Sequence, residues 1–475
     1  MDIKINKSEA SIFQKIAEAA ASLEVSTYVV GGFVRDKLLN RPTKDIDIVC
    51  VGDGIALAQK VAQSFKPQPK VHFFKNFGTA QIKVKNFEIE FVGARKESYS
   101  RDSRKPIVSG GTLEDDQNRR DFTINALAVS LNQENYGQLI DPFNGLEDLK
   151  KGIIKTPLAP QQTFSDDPLR MMRAIRFASQ LHFKIAPSCF EAIQEEAHRL
   201  GIVSNERIVV ELNKIMMTAK PSFGLDLLYK AGLLELILPQ LTALAGTEYI
   251  DNIGHKDNFY HSLQVVDNIA PHTNNIWLRW AALLHDIGKA PTKKFVPGHG
   301  WTFHGHEIQS GKMAAKIFKT LKLPLNDALP YVRKIVELHH RPISLTDENI
   351  TDSAIRRLLF DAGDEIDDLM TLCKADITSK NKEKVKKYLA NFDLVSERLI
   401  EVEAKDRIRN WQPPISGNEI MRTFHLTPSR IVGTIKTAIR EAILDGIIPN
   451  EYEAAKNYMI EVAAKHNIQP VKNEI

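Results

Sequence analysis

The feature that most limits what this chain can fold into is a change of period along its length. Up to about Phe164 it carries short, alternating, β-branched runs. Beyond that point helical periodicity takes over, broken by Pro and Gly. Ser26–Gly32 (STYVVGG) predicts a strand ending on two glycines, FVRDKLLN a helix, and DIDIVCV a second strand. Ala80–Ala94 (AQIKVKNFEIEFVGA) alternates like a hairpin that turns near Lys85-Asn86. Residues 1–25 predict an amphipathic helix. The outline is an α/β head followed by a long helical body, with no internal repeat and no low-complexity segment.

Length and composition set outer bounds. A chain of 475 residues predicts two to four domains. Its 43% hydrophobic and 26% charged residues are usual for a soluble globular protein. No apolar run approaches the roughly 18 residues a membrane span needs, and the N-terminus lacks an apolar signal core. The three cysteines, Cys50, Cys189 and Cys373, lie far apart with no CxxC pair. That pattern predicts a cytoplasmic protein and argues against a cysteine-held zinc. A net charge of +4 permits a local nucleic-acid-binding patch but does not show one.

Within PTKDIDIVCVG, Asp45 and Asp47 are two residues apart in a strand, so both point to one face. Paired carboxylates repel and raise each other's pKa, a conflict that a divalent cation removes. The alternative is an acidic, solvated strand face. Upstream, VGGFVRD (Val30–Asp36) is a strand, a Gly-Gly turn and a helix carrying Arg35. Glycines let the backbone approach a phosphate, and a helix N-terminus favours an anion. Turn, Arg and aspartate pair together make a triphosphate-plus-metal layout, suited to activating a hydroxyl and stabilising a leaving pyrophosphate.

VGGFVRDKLLNRPTKDIDIV resembles the first signature of the class II tRNA nucleotidyltransferase and bacterial poly(A) polymerase family. RRDFTINALA (Arg119–Ala128), DPFNGLEDL (Asp141–Leu149), DDPLRMMRAIRFA (Asp166–Ala178) and SNERIVVEL (Ser204–Leu212) resemble its later motifs, in order. The resemblance implies an α+β chain: a polymerase-beta-like nucleotidyltransferase head of mixed sheet and helices, then an all-α neck, body and tail. It implies boundaries near residues 1–155 for the head, 156–250 for the neck, 251–380 for the body and 381–475 for the tail. It implies that Asp45 and Asp47 hold a catalytic Mg²⁺, with Glu90 the candidate third carboxylate. Gly31, Gly32 and Arg35 would meet the triphosphate. Arg120 would contact the nucleotide near the ribose, supported by Asp121.

Arg170, Arg173 and Arg176 recur at i, i+3, i+6 and fan over about 120° of a helix, with Asp167 at the edge of that side. Pro168 suits the first turn, and Ser165 or an Asp its cap. An Asp beside an Arg presents acceptors and donors together, enough to read the Watson–Crick edge of a free base. Arg173 and Arg176 would brace that pair or stack on the base. The family pattern E-D-x-x-R matches at Asp167 and Arg170, but Asp166 replaces the leading Glu. Arg95–Gly111 is polar and predicts a mobile loop. In the family such a loop helps switch from CTP to ATP.

The second half has separate chemistry. LLHDIGK places His285 and Asp286 together, with His261, His306, His339 and Asp376 spread around them. Imidazoles and carboxylates suit divalent transition metals. Residues 255–380 resemble an HD-family phosphohydrolase domain. The resemblance implies one metal on His261, His285, Asp286 and Asp376, and a second on His306 and His339; Mn, Ni, Co or Fe are the candidates. His304 and His340 read as bystanders, able to replace a neighbour. Thr427–Gly446 predicts a capped helix that meets backbone phosphates. The function implied is addition or repair of the 3′-terminal CCA of tRNA from CTP and ATP. The partners implied are the tRNA 3′ end and the two nucleotides, with no membrane and no obligate protein partner. Alternatives are a poly(A) polymerase, an A-adding enzyme, or an HD phosphohydrolase with a non-catalytic RNA-binding head.

Overall fold

The alternating runs of the head pair into one seven-stranded sheet in the computed structural model. It describes residues 2–74, 78–100, 103–251, 253–345, 351–378, 381–406 and 411–471. Contacts divide the chain into two units, Met1–Pro239 and Gln240–Ile475, each taken by itself.

The first unit opens with α1 (Lys7–Ser22), β1 (Thr27–Val30), α2 (Gly32–Leu38), β2 (Asp45–Cys50) and α3 (Gly54–Gln63). β3 (Val71–Phe74), β4 (Thr79–Val84), β5 (Phe87–Gly93), β6 (Arg95–Ser100) and β7 (Ser103–Gly110) follow. Then come α4 (Leu113–Asn118), β8 (Ala128–Ser130), β9 (Leu139–Ile140), α5 (Gly145–Lys151), α6 (Pro160–Asp166) and α7 (Leu169–Leu181). The sheet order is β3-β4-β5-β2-β1-β8-β9. β2 and β5 run parallel and the other neighbours antiparallel, so the sheet is mixed. The predicted hairpin is β4–β5, and Lys85 turns it with a φ of 54°.

Alternation decides which face does what. Ile46, Ile48, Ile89 and Phe91 are fully buried, and α3, which packs on β4 and β5, brings Leu57, Ala58 and Val61 into the interior. Each such side chain contributes about 1.5–3 kcal/mol by leaving water. The same period of two sends Asp45 and Asp47 to the other face. α1 begins with a capping box, Glu9 N donating to Asn6 Oδ1 and Asn6 N to the Glu9 carboxylate.

Arg95–Gly111 differs from its expectation. It is an antiparallel hairpin, β6–β7, with Arg95 opposite Gly110 and an irregularity between Ser98 and Ser100. Arg101 and Asp102 lie outside the described residues. Polar residues hide a strand when neither face is apolar; backbone pairing needs no hydrophobic alternation.

α5 explains DPFNGLEDL. Asp141 accepts from the N–H groups of Gly145 (2.7 Å) and Leu146 (2.9 Å) at the helix start. A Cβ on Gly145 would lie 2.3 Å from Thr123 O, so only glycine lets α5 seat against the Thr123 turn. α7 packs on the helices Asn205–Met216 and Pro221–Lys230.

In the second unit, the helices Asn258–Ile269, Ile276–Leu284, His306–Leu321, Ala328–Leu338 and Ile366–Ala375 enclose Phe259, Trp280 and Phe318, all fully buried. Two short hairpins, Tyr249–Ile250 with Ile253–Gly254 and Lys294–Val296 with Gly300–Thr302, were not foreseen. Strands of two or three residues are too short for a period of two to register. Residues 411–471 form their own core around Ile420, Ile435, Ile439 and Met459. Its central helix is Arg430–Leu444, inside the predicted Thr427–Gly446. No described helix is long and apolar enough to cross a membrane.

Candidate active site and metal centre

The head site is built where β1, β2 and β5 lie side by side. Cα register places Asp47 opposite Val30 on one side and Glu90 on the other. Asp47, Glu90, Arg95, Arg119 and Arg120 line one cavity of about 290 Å³. Burial raises the pKa of Asp47, and Asp45 adds to the rise while Arg120 opposes it. Burial and then Asp47 raise Glu90. Asp45 is exposed at the start of β2. Carboxylates that destabilise one another's charge, beside a cavity, suit a divalent cation. Gly31 has a φ of 73°, and a Cβ there would lie 2.8 Å from Arg120 Nη1 and 3.2 Å from Asp47 Oδ2. The Gly-Gly turn is therefore what admits Arg120 beside the aspartate. Gly32 opens α2 directly after it.

The arginines are fixed by a residue the sequence reading missed. Asp116 on α4 is fully buried, and both its oxygens accept from arginines. Arg120 Nε and Nη2 reach Oδ2 at 3.1 and 2.9 Å; Arg119 Nε reaches Oδ1 at 2.9 Å, and its Nη2 binds there too. Burial opposes the charge of Asp116, but Arg120 and Arg119 outweigh it and lower its pKa. The signal was present: in DDQNRR, Asp116 stands three and four residues before the arginines, one helical turn away.

Asp121 joins the motifs. Its Oδ1 accepts from Phe122 N and Asn125 Nδ2, both at 2.9 Å. Its Oδ2 takes Arg173 Nε at 2.7 Å and Nη2 at 2.6 Å. Arg35 lies in the interior rather than facing the cavity. It grips Asp36 with two N–H groups and Asn125 Oδ1 at 2.7 Å, and stacks on Phe177 at 4.9 Å. Arg176 is buried as well, paired with Glu211 at 2.6 Å, so it clamps α7 to the SNERIVVEL helix. Arg170 donates to Arg119 O at 2.5 Å, which ties α7 to the paired arginines. Asp167 Oδ1 accepts from Leu169 N at 3.3 Å, while Pro168, expected in the first turn, stands at the cap position of α7, so neither Ser165 nor an Asp caps it.

The second unit gathers every expected ligand. His285, Asp286, His306 and His339 are buried at 5% exposure or less, a depth at which polar groups need partners. His261 Nε2 lies 2.9 Å from Asp376 Oδ1 and 3.4 Å from Asp286 Oδ2. His285 Nε2 lies 3.3 Å from Asp286 Oδ2; His306 and His339 Nε2 lie 3.2 and 3.9 Å from its Oδ1. The Nδ1 atoms of His285, His306 and His339 sit 2.8, 2.9 and 2.6 Å from the carbonyls of Ala282, Phe303 and Val336. A carbonyl only accepts, so each neutral ring carries its proton on Nδ1 and aims an Nε2 lone pair at a carboxylate. Those three Nε2 atoms and Asp286 Oδ1 have no hydrogen-bond partner among the described residues. Lone pairs facing lone pairs call for a cation. At His285 burial opposes the charge, yet Asp286 and Asp376 hold its pKa up at about 10, so with no metal bound a proton takes the Nε2 position and supplies the positive charge. His339 is pushed down to about 3, chiefly by burial.

Two ligand groups emerge, His261 with His285 and Asp286, and His306 with His339 and His340. Asp286 turns one oxygen to each. His340, expected as a bystander able to replace a neighbour, falls within the second group, with its ring 4.5 Å from that of His339. A Cβ on Gly288 would lie 2.2 Å from His306 O, so the glycine of HDIGK lets the His306 helix approach the HD pair.

Three family models match in chain order: poly A polymerase head domain over residues 27–155, probable RNA and SrmB-binding site of polymerase A over 182–244, and HD domain over 258–380. The multifunctional CCA protein of Neisseria gonorrhoeae is 34% identical over 314 residues, 63% of this chain and 70% of that one. This chain belongs to the class II tRNA nucleotidyltransferase and poly(A) polymerase family. Within that family, an A-adding tRNA nucleotidyltransferase of Aquifex aeolicus is 41% identical over 201 residues, 42% of this chain and 24% of that one. The chain thus spans about a quarter of the length of that relative. A tRNA nucleotidyltransferase solved with a primer tRNA and an incoming ATP analog shares the fold, with a TM-score of 0.57 at 25% identity, over 82% of this chain and 99% of that one.

Proposed function

We propose that this chain is a template-independent nucleotidyltransferase that builds or repairs the 3′-terminal CCA of tRNA from CTP and ATP, releasing pyrophosphate. The observation that carries it is the register of Asp47 beside Glu90, in one cavity with Arg119 and Arg120. Asp45, Asp47 and Glu90 would hold Mg²⁺, which when bound neutralises phosphate charge and favours the attacking hydroxyl. Arg120, held by Asp116, meets the nucleotide near Gly31 and Gly32. Arg35 acts from the interior by fixing Asn125 and, through it, Asp121. Asp167 and Arg170 read the base edge, and Arg173 is braced by Asp121. With the reacting groups so placed, catalysis is mostly positioning and electrostatics.

The domains of this reading are a catalytic head 1–155, a base-reading neck 156–250, an HD body 251–380 and a tRNA-gripping tail 381–475. The three cysteines are free and buried, which supports the cytoplasm as its compartment. The likeness to an A-adding enzyme gives the rival reading. Three tRNA transcripts ending in the discriminator base, in C and in CC separate them when incubated with Mg²⁺ and CTP, ATP or both. Growth of the first by C, C and A supports CCA addition. Addition of A to the CC end alone would replace it with A addition, and open A ladders with poly(A) synthesis.

A second activity is carried by a separate observation, the convergence of Nε2 lone pairs on Asp286 and Asp376. We infer a metal-dependent phosphohydrolase there, loaded with Mn²⁺, Ni²⁺, Co²⁺ or Fe²⁺. Turnover of bis-p-nitrophenyl phosphate by the metal-supplemented protein tests it; none with any of these ions would reject it.

A further inference from the structure

Arg95 lines the head cavity together with Asp47, Glu90, Arg119 and Arg120, and none of the roles above uses it. Its position follows from the sheet. Glu90 and Val92 share the cavity face of β5, two residues apart, and Thr79 on β4 stands opposite Val92 and lines the cavity too. The floor therefore runs from Asp47 on β2 across β5 to β4, away from β1. Arg95 enters on that side, as the first residue of β6 after the end of β5. Its backbone is held from both directions: Ala94 N donates to Cys50 O at 2.7 Å, and Gly111 N to Ala94 O at 3.0 Å. A Cβ on Gly111 would lie 2.7 Å from Lys96 N and 2.8 Å from the Arg95 carbonyl carbon, so glycine closes the base of the hairpin tightly. Arg95 thus stands on the fixed base of β6–β7, where a side chain is placed more precisely than on a loop.

Cations stand on both flanks of the carboxylate pair. Arg120 is beside Asp47 and the Gly31 turn, on the β1 side. It opposes the rise in pKa at Asp47, whereas Arg95 does so at Glu90. The order across the site is Arg120, Asp47, Glu90, Arg95. Arg119 and Arg120 share the buried Asp116, which takes up part of their charge. A single phosphate would be served by Arg120 and the Gly-Gly turn. A guanidinium beyond Glu90 fits a longer anion, one that crosses both carboxylates, as a chain of phosphates does. With Glu90 committed to a metal, Arg95 can turn its donors to phosphate oxygens.

We propose that Arg95 holds the two terminal phosphates of the incoming nucleotide, the pair that leaves, while Arg120 and the Gly31–Gly32 turn hold the nucleoside end. The proposal rests on the nucleotidyltransferase reading above and adds a residue to it. In the transfer the tRNA 3′ oxygen bonds to the α-phosphorus, and the bond from that phosphorus to the bridging oxygen breaks. The bridging oxygen keeps the electron pair and leaves within pyrophosphate, and the hydroxyl proton passes to solvent. Negative charge grows on the leaving group, where a guanidinium fork matches it.

The test is calorimetric titration of the full chain, in Mg²⁺, with ATP, CTP, AMP and CMP. Loss of a charge-assisted contact predicts that Arg95→Ala weakens binding of both triphosphates about thirtyfold. Both monophosphates should stay within about twofold of the parent. Arg95→Lys keeps the charge but not the fork, so it should lose about fivefold, on the triphosphates alone. The lysine variant decides the matter if the alanine variant melts below the assay temperature. Equal weakening of mono- and triphosphates would overturn the proposal, because it marks a structural role at the hairpin base. A parent that prefers triphosphates, with that preference intact in both variants, rejects Arg95 alone. A parent that binds mono- and triphosphates alike overturns the nucleotidyltransferase reading and this inference together.

Discussion

Asp121 shows how much one side chain can hold in place. Burial works against its charge, but Arg173, Asn125 and Arg170 more than compensate and bring its pKa to about 2 from 3.8. A carboxyl with a depressed folded-state pKa stabilises above its unfolded pKa, and that stability is lost as pH falls toward the folded value. The contribution is about 2 kcal/mol at neutral pH and disappears between about pH 4 and pH 2. Urea midpoints measured down this range should fall more steeply for the parent than for Asp121→Asn, whose side chain does not titrate. Arg170 makes a different case, since its contact with Arg119 O leaves other donors for a base edge. Arg170→Ala should lower discrimination among NTPs about tenfold, the worth of one bidentate base contact, with tRNA affinity nearly unchanged. Competition assays with mixed NTPs measure it. Asp47 was legible at this scale from residue type and spacing, and Arg120 from the resemblance of RRDFTINALA to a family motif. Arg35 was expected at the triphosphate and Arg176 beside the base-reading pair, but both are buried, because whether an arginine faces a cavity or the interior depends on neighbours far away in sequence. Asn125 and Glu211 supply those neighbours.

At the scale of elements, glycine decides which surfaces can touch. Gly288 seats the turn after His285 and Asp286 on the helix His306–Leu321, with its N–H donating to Ser310 Oγ at 2.8 Å. Gly288→Ala would put a Cβ 2.2 Å from His306 O. Overpacking of this kind costs about 1–3 kcal/mol. The variant should melt lower and, because His306 must move, bind Mn²⁺ about tenfold more weakly, within the range for a disturbed ligand support. Calorimetric metal titration and thermal melts check both effects. The helices here announced themselves by period, as α1 did through the amphipathic pattern of residues 1–25. The β6–β7 hairpin did not, because its strands lack an apolar face to write into the sequence.

For the molecule as a whole, two metal-dependent chemistries are assigned to separate units, residues 1–239 and 240–475. They should therefore be separable. Asp47→Ala should cut nucleotide addition on the order of a hundredfold or more, as loss of a transition-state charge contact does, while tRNA binding and phosphoester turnover persist. Asp376→Ala should do the reverse. Gel-based extension and phosphoester assays on both variants make the test. Loss of both activities in either variant would show that one centre depends on the other.

The sequence by itself determined the α+β order of the chain, the aspartate strand with its Gly-Gly turn, and the set of histidines and acids in the second half. These are written locally, in period, spacing and ligand type. Tertiary structure alone decided that Glu90 stands in register with Asp47 and that Asp286 divides its two oxygens between two groups of imidazoles. It also drew His340 into the cluster. Each of these depends on strand register or helix packing between distant segments. Local pattern cannot encode such a choice, because it is made only when the buried faces meet.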